Sequence, residues 1–235
     1  MEQRGEKQLV ICFNFFPMRY FFFLVVILSC QRKIFISIPA SQDRHLTGNA
    51  FYQQAAGYKW RQRDSLAVDE ALKGNIPAFQ KSLVPVSALL TDSNGRVNQI
   101  IFYVTLDYFS IGTDDDWARV PITPMAAQRI ADSFHCFLPT RKMVDDIYRC
   151  AKVKLEPVPM YAFRDSSPTM YQHHLIIEGQ RKARSGLIAG IKKDVVISGK
   201  VSRDTKPNRV AIYGWHKLDG TPIQPLYTGH VNWYV

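Results

Sequence analysis

Apolar positions along the chain repeat with two different periods. Leu66, Val68, Ala71 and Leu72 follow the polar pair Asp64-Ser65 and stop at Gly74, which predicts a capped helix. Ala127, Ile130, Ala131 and Phe134 recur at helical spacing behind Thr123-Pro124, a cap residue followed by proline at the first helical position. Met143, Val144, Ile147, Tyr148 and Ala151 make a second helical stripe running from Thr140. Between these and the first helix the period shortens. Val84 to Leu90 and Val97 to Tyr108 are rich in β-branched and aromatic residues, and Thr91-Asp92-Ser93-Asn94-Gly95 joins them. The Asn-Gly pair predicts a hairpin. Beyond Pro157 and Pro159, strands are predicted at His174–Ile177, Asp194–Ser198, Arg209–Trp215, Pro222–Tyr227 and Val231–Val235. The expected fold class is α+β: an antiparallel sheet with two or three packed helices and a strand-rich C-terminal third. No internal repeat is evident.

The N-terminal stretch changes the picture of where this domain works. Tyr20 to Leu28 is an unbroken apolar run with Arg19 before it and Ser29-Cys30 after it. It is shorter than the ~20 apolar residues that span a bilayer, and it matches the short apolar region of a secretory signal. Ile27-Leu28-Ser29-Cys30 resembles a bacterial lipobox, which implies lipidation of Cys30. A plain cleaved signal and a retained span are the alternatives. A span lengthened by Leu9–Phe16 would enclose Asn14, Pro17 and Arg19; a central Arg costs roughly 2.5 kcal/mol or more, and proline interrupts the hydrogen-bond ladder. Met18 is an alternative start, because Met-Arg-Tyr-Phe opens a normal signal. The expected organisation is a leader over 1–30, a tether over 31–50 and one α+β domain over 51–235. Asn232-Trp233-Tyr234-Val235 reads as mid-strand, so the domain is expected to continue past it.

Composition is consistent with export. The 235 residues carry a net charge of +10 and 46% hydrophobic residues, as in an ordinary globular domain. The basic residues gather at Lys59–Arg63, Gln180–Arg184 and Ile191–Lys193. In an exported protein such charge points to anionic envelope polymers and lipid headgroups. No nucleic-acid-binding signature is present, so no nucleic-acid partner is expected. The expected location is the bacterial cell envelope, with the membrane as partner through the lipid anchor.

Two resemblances add to this reading. Tyr103-Val104-Thr105-Leu106-Asp107-Tyr108, Leu138-Pro139-Thr140-Arg141-Lys142-Met143-Val144-Asp145 and Arg209-Val210-Ala211-Ile212-Tyr213-Gly214-Trp215-His216 resemble a group of bacterial exported proteins of unassigned activity. The order Cys136, His216, His230 is similar to that of the NlpC/P60 cysteine peptidases, which implies cleavage of peptidoglycan stem peptides. The chain departs from that pattern in two places. Cys136 lies in His135-Cys136-Phe137 rather than Asp-Cys-Ser, and Arg209 stands where the family has its His.

The candidate chemistry rests on four residues: His216, His230, Cys136 and Asp194. Cys136 precedes a predicted helix whose dipole would favour a thiolate, with His216 or His230 as base; a buried core thiol is the alternative. Cys136 and Cys150 invite a disulfide in an oxidising compartment. A straight helix from Thr140 to Cys150 is ~15 Å long, and bridged Cα atoms lie within ~7 Å, so the bond is not expected. His216, His230 and Asp194 lie on or beside neighbouring predicted strands. They can form an acid–base set or hold zinc, although their spacing matches no standard metal motif. No cofactor other than zinc enters. Trp215-His216 near Asp219-Gly220 reads as a turn at the edge of a pocket. Asp114–Asp116 lack the ligand spacing and closing Glu of a calcium loop, so a solvated acidic loop is expected there. Two functions follow. The first is a hydrolase of peptidoglycan or a related envelope substrate, by a cysteine or a metal. The second is a non-catalytic, lipid-anchored module that grips an anionic polymer through basic residues and Trp60, Trp215, Tyr227 and Trp233.

Overall fold

The long hairpin predicted from the Asn-Gly pair organises one half of the molecule. The computed structural model describes residues 11–13, 34–38, 45–205, 209–225 and 231–233. In chain order its elements are β1 (Ile11–Phe13), β2 (Ile34–Phe35), α1 (Gly48–Gln54), α2 (Trp60–Leu72), α3 (Ala78–Lys81), β3 (Ser82–Thr91), β4 (Val97–Thr105), β5 (Ser110–Gly112), β6 (Trp117–Arg119), α4 (Pro124–Ser133), α5 (Arg141–Cys150), β7 (Val153–Lys154), α6 (Ser167–Arg181), β8 (Ile188–Ala189), β9 (Lys193–Val196), α7 (Gly199–Ser202), β10 (Arg209–His216), β11 (Pro222–Gln224) and β12 (Val231–Trp233). The fold is mixed α and β, as the sequence predicts, but with more helices than expected and two main sheets rather than one. One sheet has the order β1-β4-β3-β2; in the other, β9, β11 and β12 all pair with β10. Every pairing in these two sheets is antiparallel, whereas the short β7–β8 pair is parallel.

Local chemistry accounts for the elements that matter most. Between β3 and β4, the Asp92 Oδ1 accepts from Asn94 N and Arg96 N, and Gly95 takes φ +77°, which glycine adopts without strain. Thr123 Oγ1 accepts from Ala126 N and Thr140 Oγ1 from Met143 N, so α4 and α5 begin at the predicted caps. The first predicted helix instead starts earlier, at Trp60: Gln62 Oε1 accepts from Lys59 N, and Asp64 lies inside the helix, accepting from Thr123 N. Asp64 thus links α2 to the start of α4.

Three expectations need correction. His174–Ile177 is not a strand but the middle of α6. Ser166 caps that helix by accepting from Thr169 N, Pro168 fits its first turn, and Met170, His173, His174 and Ile177 form one buried face at helical spacing. The tether does not extend to residue 50: Thr47 caps α1, and Ile36 and Ile38 already pack on the core. The acidic loop is not simply solvated. Asp116 Oδ1 accepts from Asn49 N, and Asp114 Oδ1 accepts from Ala78 N, so carboxylates meet the open amides at the starts of α1 and α3.

The largest core lies among α1, α2, α4 and the β5–β6 pair, around Phe51, Ile111, Ile130 and Phe134. A second, around Val86, Phe102, Met143 and Ile147, joins α5 to the long hairpin. Gly48 lets α1 approach β6 closely: a Cβ there would stand 2.3 Å from the Trp117 carbonyl carbon. Gly48→Ala is therefore expected to cost about 3 kcal/mol of stability, the upper range for overpacking, because backbone rather than a side-chain tip would have to move. Urea unfolding of the variant measures it, and a loss below roughly 1 kcal/mol would show that α1 shifts freely.

Candidate functional site

The C-terminal sheet and α5 together build the site. β10 ends at His216, and a turn closed by Lys217 N to Thr221 O leads back into β11. Just before His216 the strand bends: Gly214 has φ +96° and Trp215 φ +57°. A bulky residue in the left-handed region is strained, and such strain is retained where the surroundings impose it. Gly190 makes the bend fit, because a Cβ there would stand 2.9 Å from Leu155 O and 3.1 Å from His216 O.

α5 supplies the partners. His216 Nε2 lies 3.1 Å from Asp145 Oδ1, and the Tyr213 hydroxyl donates to the same oxygen at 2.6 Å. Tyr148 stacks on the imidazole with ring centroids 4.5 Å apart, and its hydroxyl donates to Lys217 O at 2.5 Å. His216 is only 4% exposed, whereas the Asp145 side chain is 36% exposed, so the pair meets solvent at the carboxylate. Burial lowers the pKa of His216, with Asp145 acting in the opposite direction. The ring is therefore neutral at pH 7. With Nε2–H donating to Asp145, Nδ1 keeps its lone pair.

Asp194 sits beside this pair. It is opposite Tyr213 in the β9–β10 register. Its Oδ2 and the His216 Cε1 lie 3.2 and 3.5 Å from the same point, where a Gly214 Cβ would stand. Asp194 is 2% exposed, and burial raises its pKa well above the ordinary carboxylate range. The Tyr108 hydroxyl is pushed up as well, by burial first and then by Asp194. Asp194 Oδ1 and Trp215 Nε1 are buried with no hydrogen-bond partner among the described residues. Orphaned polar atoms are uncommon in folded interiors, and the Asp194 carboxyl carries one of them beside this imidazole.

The structure brings together two of the four sequence candidates. His216 and Asp194 share the site. Cys136 is buried in the largest core just after α4, with its thiol 3.1 Å from Phe134 O; the next helix begins five residues later, at Arg141 behind the cap Thr140. The thiol donates to Phe134 O rather than lying in the first turn of α5, the expected source of its thiolate stabilisation. Cys136 and Cys150 form no disulfide with each other. His230, Tyr227, Cys30 and the run Tyr20–Leu28 lie outside the described residues. Among the described residues no group of three His, Cys, Asp or Glu is placed to hold a metal ion, and no helix is long and apolar enough to cross a membrane. Asp145, absent from the sequence candidates, is the direct partner of His216. Its signal was faint: a polar residue on α5, 71 positions away from the imidazole.

A second buried polar cluster lies between α6 and the β5–β6 pair. Arg119 Nε and Nη2 donate to the two oxygens of Asp107 at 2.8 and 2.6 Å, and Nη2 lies 2.7 Å from Glu178 Oε1. Burial works to lower the Arg119 pKa, but Asp107 and then Glu178 outweigh it. His174 Nδ1 accepts from Arg119 N at 3.3 Å. Burial, then Arg119 and His173, push the His174 pKa down to about 3. The folded state thus refuses a proton that the unfolded chain takes up near pH 6.5. Stability is full above that pH and falls as pH drops through the window from 6.5 toward 3, with a slope approaching ~1.4 kcal/mol per pH unit. His174→Asn, which keeps an acceptor but does not titrate, is expected to flatten this slope in urea titrations at pH 4.5–6.5. An unchanged slope would place the acid sensitivity elsewhere.

An open groove of about 1320 Å³ lies elsewhere, between α4 and β9–α7, with Trp60, Arg61, Met125, Arg129 and Ile197 on its walls. No known protein family, curated protein or solved structure matches the chain.

Proposed function

We propose that this chain is an exported, lipid-anchored envelope protein whose Asp145–His216 pair is the acid–base centre of a hydrolase acting on peptidoglycan or a related envelope substrate. The observation that carries the reading is the pair itself: a neutral, buried imidazole oriented by a carboxylate, on a strained strand end, next to a buried carboxyl.

The arrangement suits water-mediated amide hydrolysis. Asp145 accepts Nε2–H and fixes the tautomer. His216 Nδ1 then takes a proton from water as the water oxygen attacks the substrate carbonyl carbon. Asp145 stabilises the imidazolium so formed, and the proton passes to the departing amine as the C–N bond breaks. Asp194, held toward its neutral form, can donate a hydrogen bond to developing negative charge. Cys136 has no part in this scheme. The resemblance to NlpC/P60 peptidases supports the substrate class rather than the nucleophile. Lipidation at Cys30 supplies the location.

The binding-module reading has one observation in its favour, the large groove walled by Trp60, Arg61 and Arg129. Incubating the membrane-purified protein with stem-peptide fragments of peptidoglycan separates the two. Hydrolysis predicts new amine and carboxylate termini by mass spectrometry, and intact mass of the same sample predicts a diacylglycerol adduct at Cys30. Tight retention of unaltered fragments would favour the binder and reject the hydrolase.

A further inference from the structure

Two aromatic side chains stand almost wholly in solvent on one short loop: Tyr161 is 86% and Phe163 80% exposed. Single exposed apolar residues are ordinary, but two large ones on the same loop ask for a partner. The loop, residues 157–165, is pinned at both ends. At its start, Glu156 N donates to Gln180 Oε1 and Gln180 Nε2 donates to Glu156 O. Still near that start, Val158 O lies 3.2 Å from His173 Nε2. At its end, Arg63 Nη1 donates to Asp165 O and Ser166 N to Phe163 O. Phe163 itself takes φ +48°, a conformation a bulky residue adopts only under constraint. The aromatic tip is therefore presented by a preformed loop.

The same contacts place cations at its base. The Glu156–Gln180 bonds set the loop beside the end of α6, where Arg181, Lys182 and Arg184 follow. Lys152 lies against Gly186, and Arg164 is on the loop itself; Glu156 and Asp165 are the opposing acids. α6 adds one half-exposed apolar side chain, Ile176, at the helical position between His173 and Gln180, which touch the loop.

Aromatic residues with an apolar body at the headgroup level, ringed by Lys and Arg, are the chemistry of an anionic membrane surface. We propose that this face lies on a lipid bilayer, with Tyr161 and Phe163 entering the interfacial layer and Arg164, Lys182 and Arg184 meeting lipid phosphates. The net charge of +10 favours the same partner. A protein pocket would explain the aromatics but not the cations spread around them. This inference is independent of the hydrolase reading.

Hydrogen–deuterium exchange on the full chain tests it segment by segment, so that any membrane affinity of the N-terminal stretch does not obscure the result. With phosphatidylglycerol vesicles, exchange in 157–165 is expected to slow by about tenfold, with little change on phosphatidylcholine alone. In the double variant Tyr161→Ser/Phe163→Ser the slowing should vanish, while exchange in α2 and α4 stays as in the wild type. Unchanged exchange in 157–165 on anionic vesicles, equal protection in the double variant, or equal protection by lipid-free polyglutamate would overturn the proposal.

Discussion

Replacing His216 by Gln is expected to lower kcat/KM on peptidoglycan stem peptides by about 10³-fold, within the range that a positioned general base contributes. Burial holds the imidazole toward its neutral form, and a carboxylate orients it. Gln cannot take a proton from water at its side chain. Because His216 is buried, its variant is paired with Asp145→Asn at a half-exposed position. Asn keeps the shape but no longer fixes the Nε2–H tautomer, and a loss on the order of 10² is expected. Tyr213→Phe removes only a hydrogen bond to Asp145 and should cost much less. The order of the three variants matters as much as the size. A large loss in His216→Gln with none in Asp145→Asn would mean that the carboxylate does not orient the base.

The second large effect concerns stability. Asp107→Ala is expected to destabilise the fold by about 3–5 kcal/mol, because it leaves the Arg119 guanidinium buried at 3% exposure without its bidentate partner. Glu178, a third exposed, holds only one side of the guanidinium. The Asp107 carboxylate also accepts from Tyr108 N, so in Asp107→Ala a backbone donor is stranded with the charge. Against a typical total of roughly 5–15 kcal/mol this is a large fraction. Replacing both partners by apolar residues, Asp107→Leu with Arg119→Met, should cost less than Asp107→Ala alone, since no charge is then left buried. Urea midpoints for the two variants measure it. A single-variant loss under roughly 1 kcal/mol would mean that water reaches Arg119.

The parts of this architecture that were legible in the sequence are those settled within a few residues. Asn94-Gly95 gave the hairpin, Thr123-Pro124 and Thr140 gave two helix starts, and the stripes behind them gave the buried faces. α6 was misread because Ile176-Ile177 beside paired histidines resembles a short strand. The decisive signals were Ser166 with Pro168 and the 170, 173, 174, 177 spacing of its buried face. The start of α2 was hidden because lysine is not a capping residue; the bond is made backwards, by the Gln62 side chain to Lys59 N. The site divides along the same line. The turn after Trp215-His216 was readable from Asp219-Gly220, and the β9–β10 pairing that brings Asp194 near was implied by two adjacent strands. Asp145 was not, because the residue that orients the imidazole comes from a helix packed across the sheet, and no local pattern encodes that contact. Cys136 drew attention for its proximity to a predicted helix, yet the chain needs four more residues before that helix begins.

The central claim is that a neutral His216, oriented by Asp145, takes a proton from the attacking water. The most direct test is the pH dependence of stem-peptide hydrolysis by the wild type and by His216→Gln. Hydrolysis by the wild type should be constant at neutral pH and fall on acidification through one ionisation below 6.5, following the imidazole that burial keeps uncharged. That limb should be missing from whatever activity His216→Gln retains. Hydrolysis that is equal in the two proteins at every pH, or fragments that emerge uncut from both, would contradict the account.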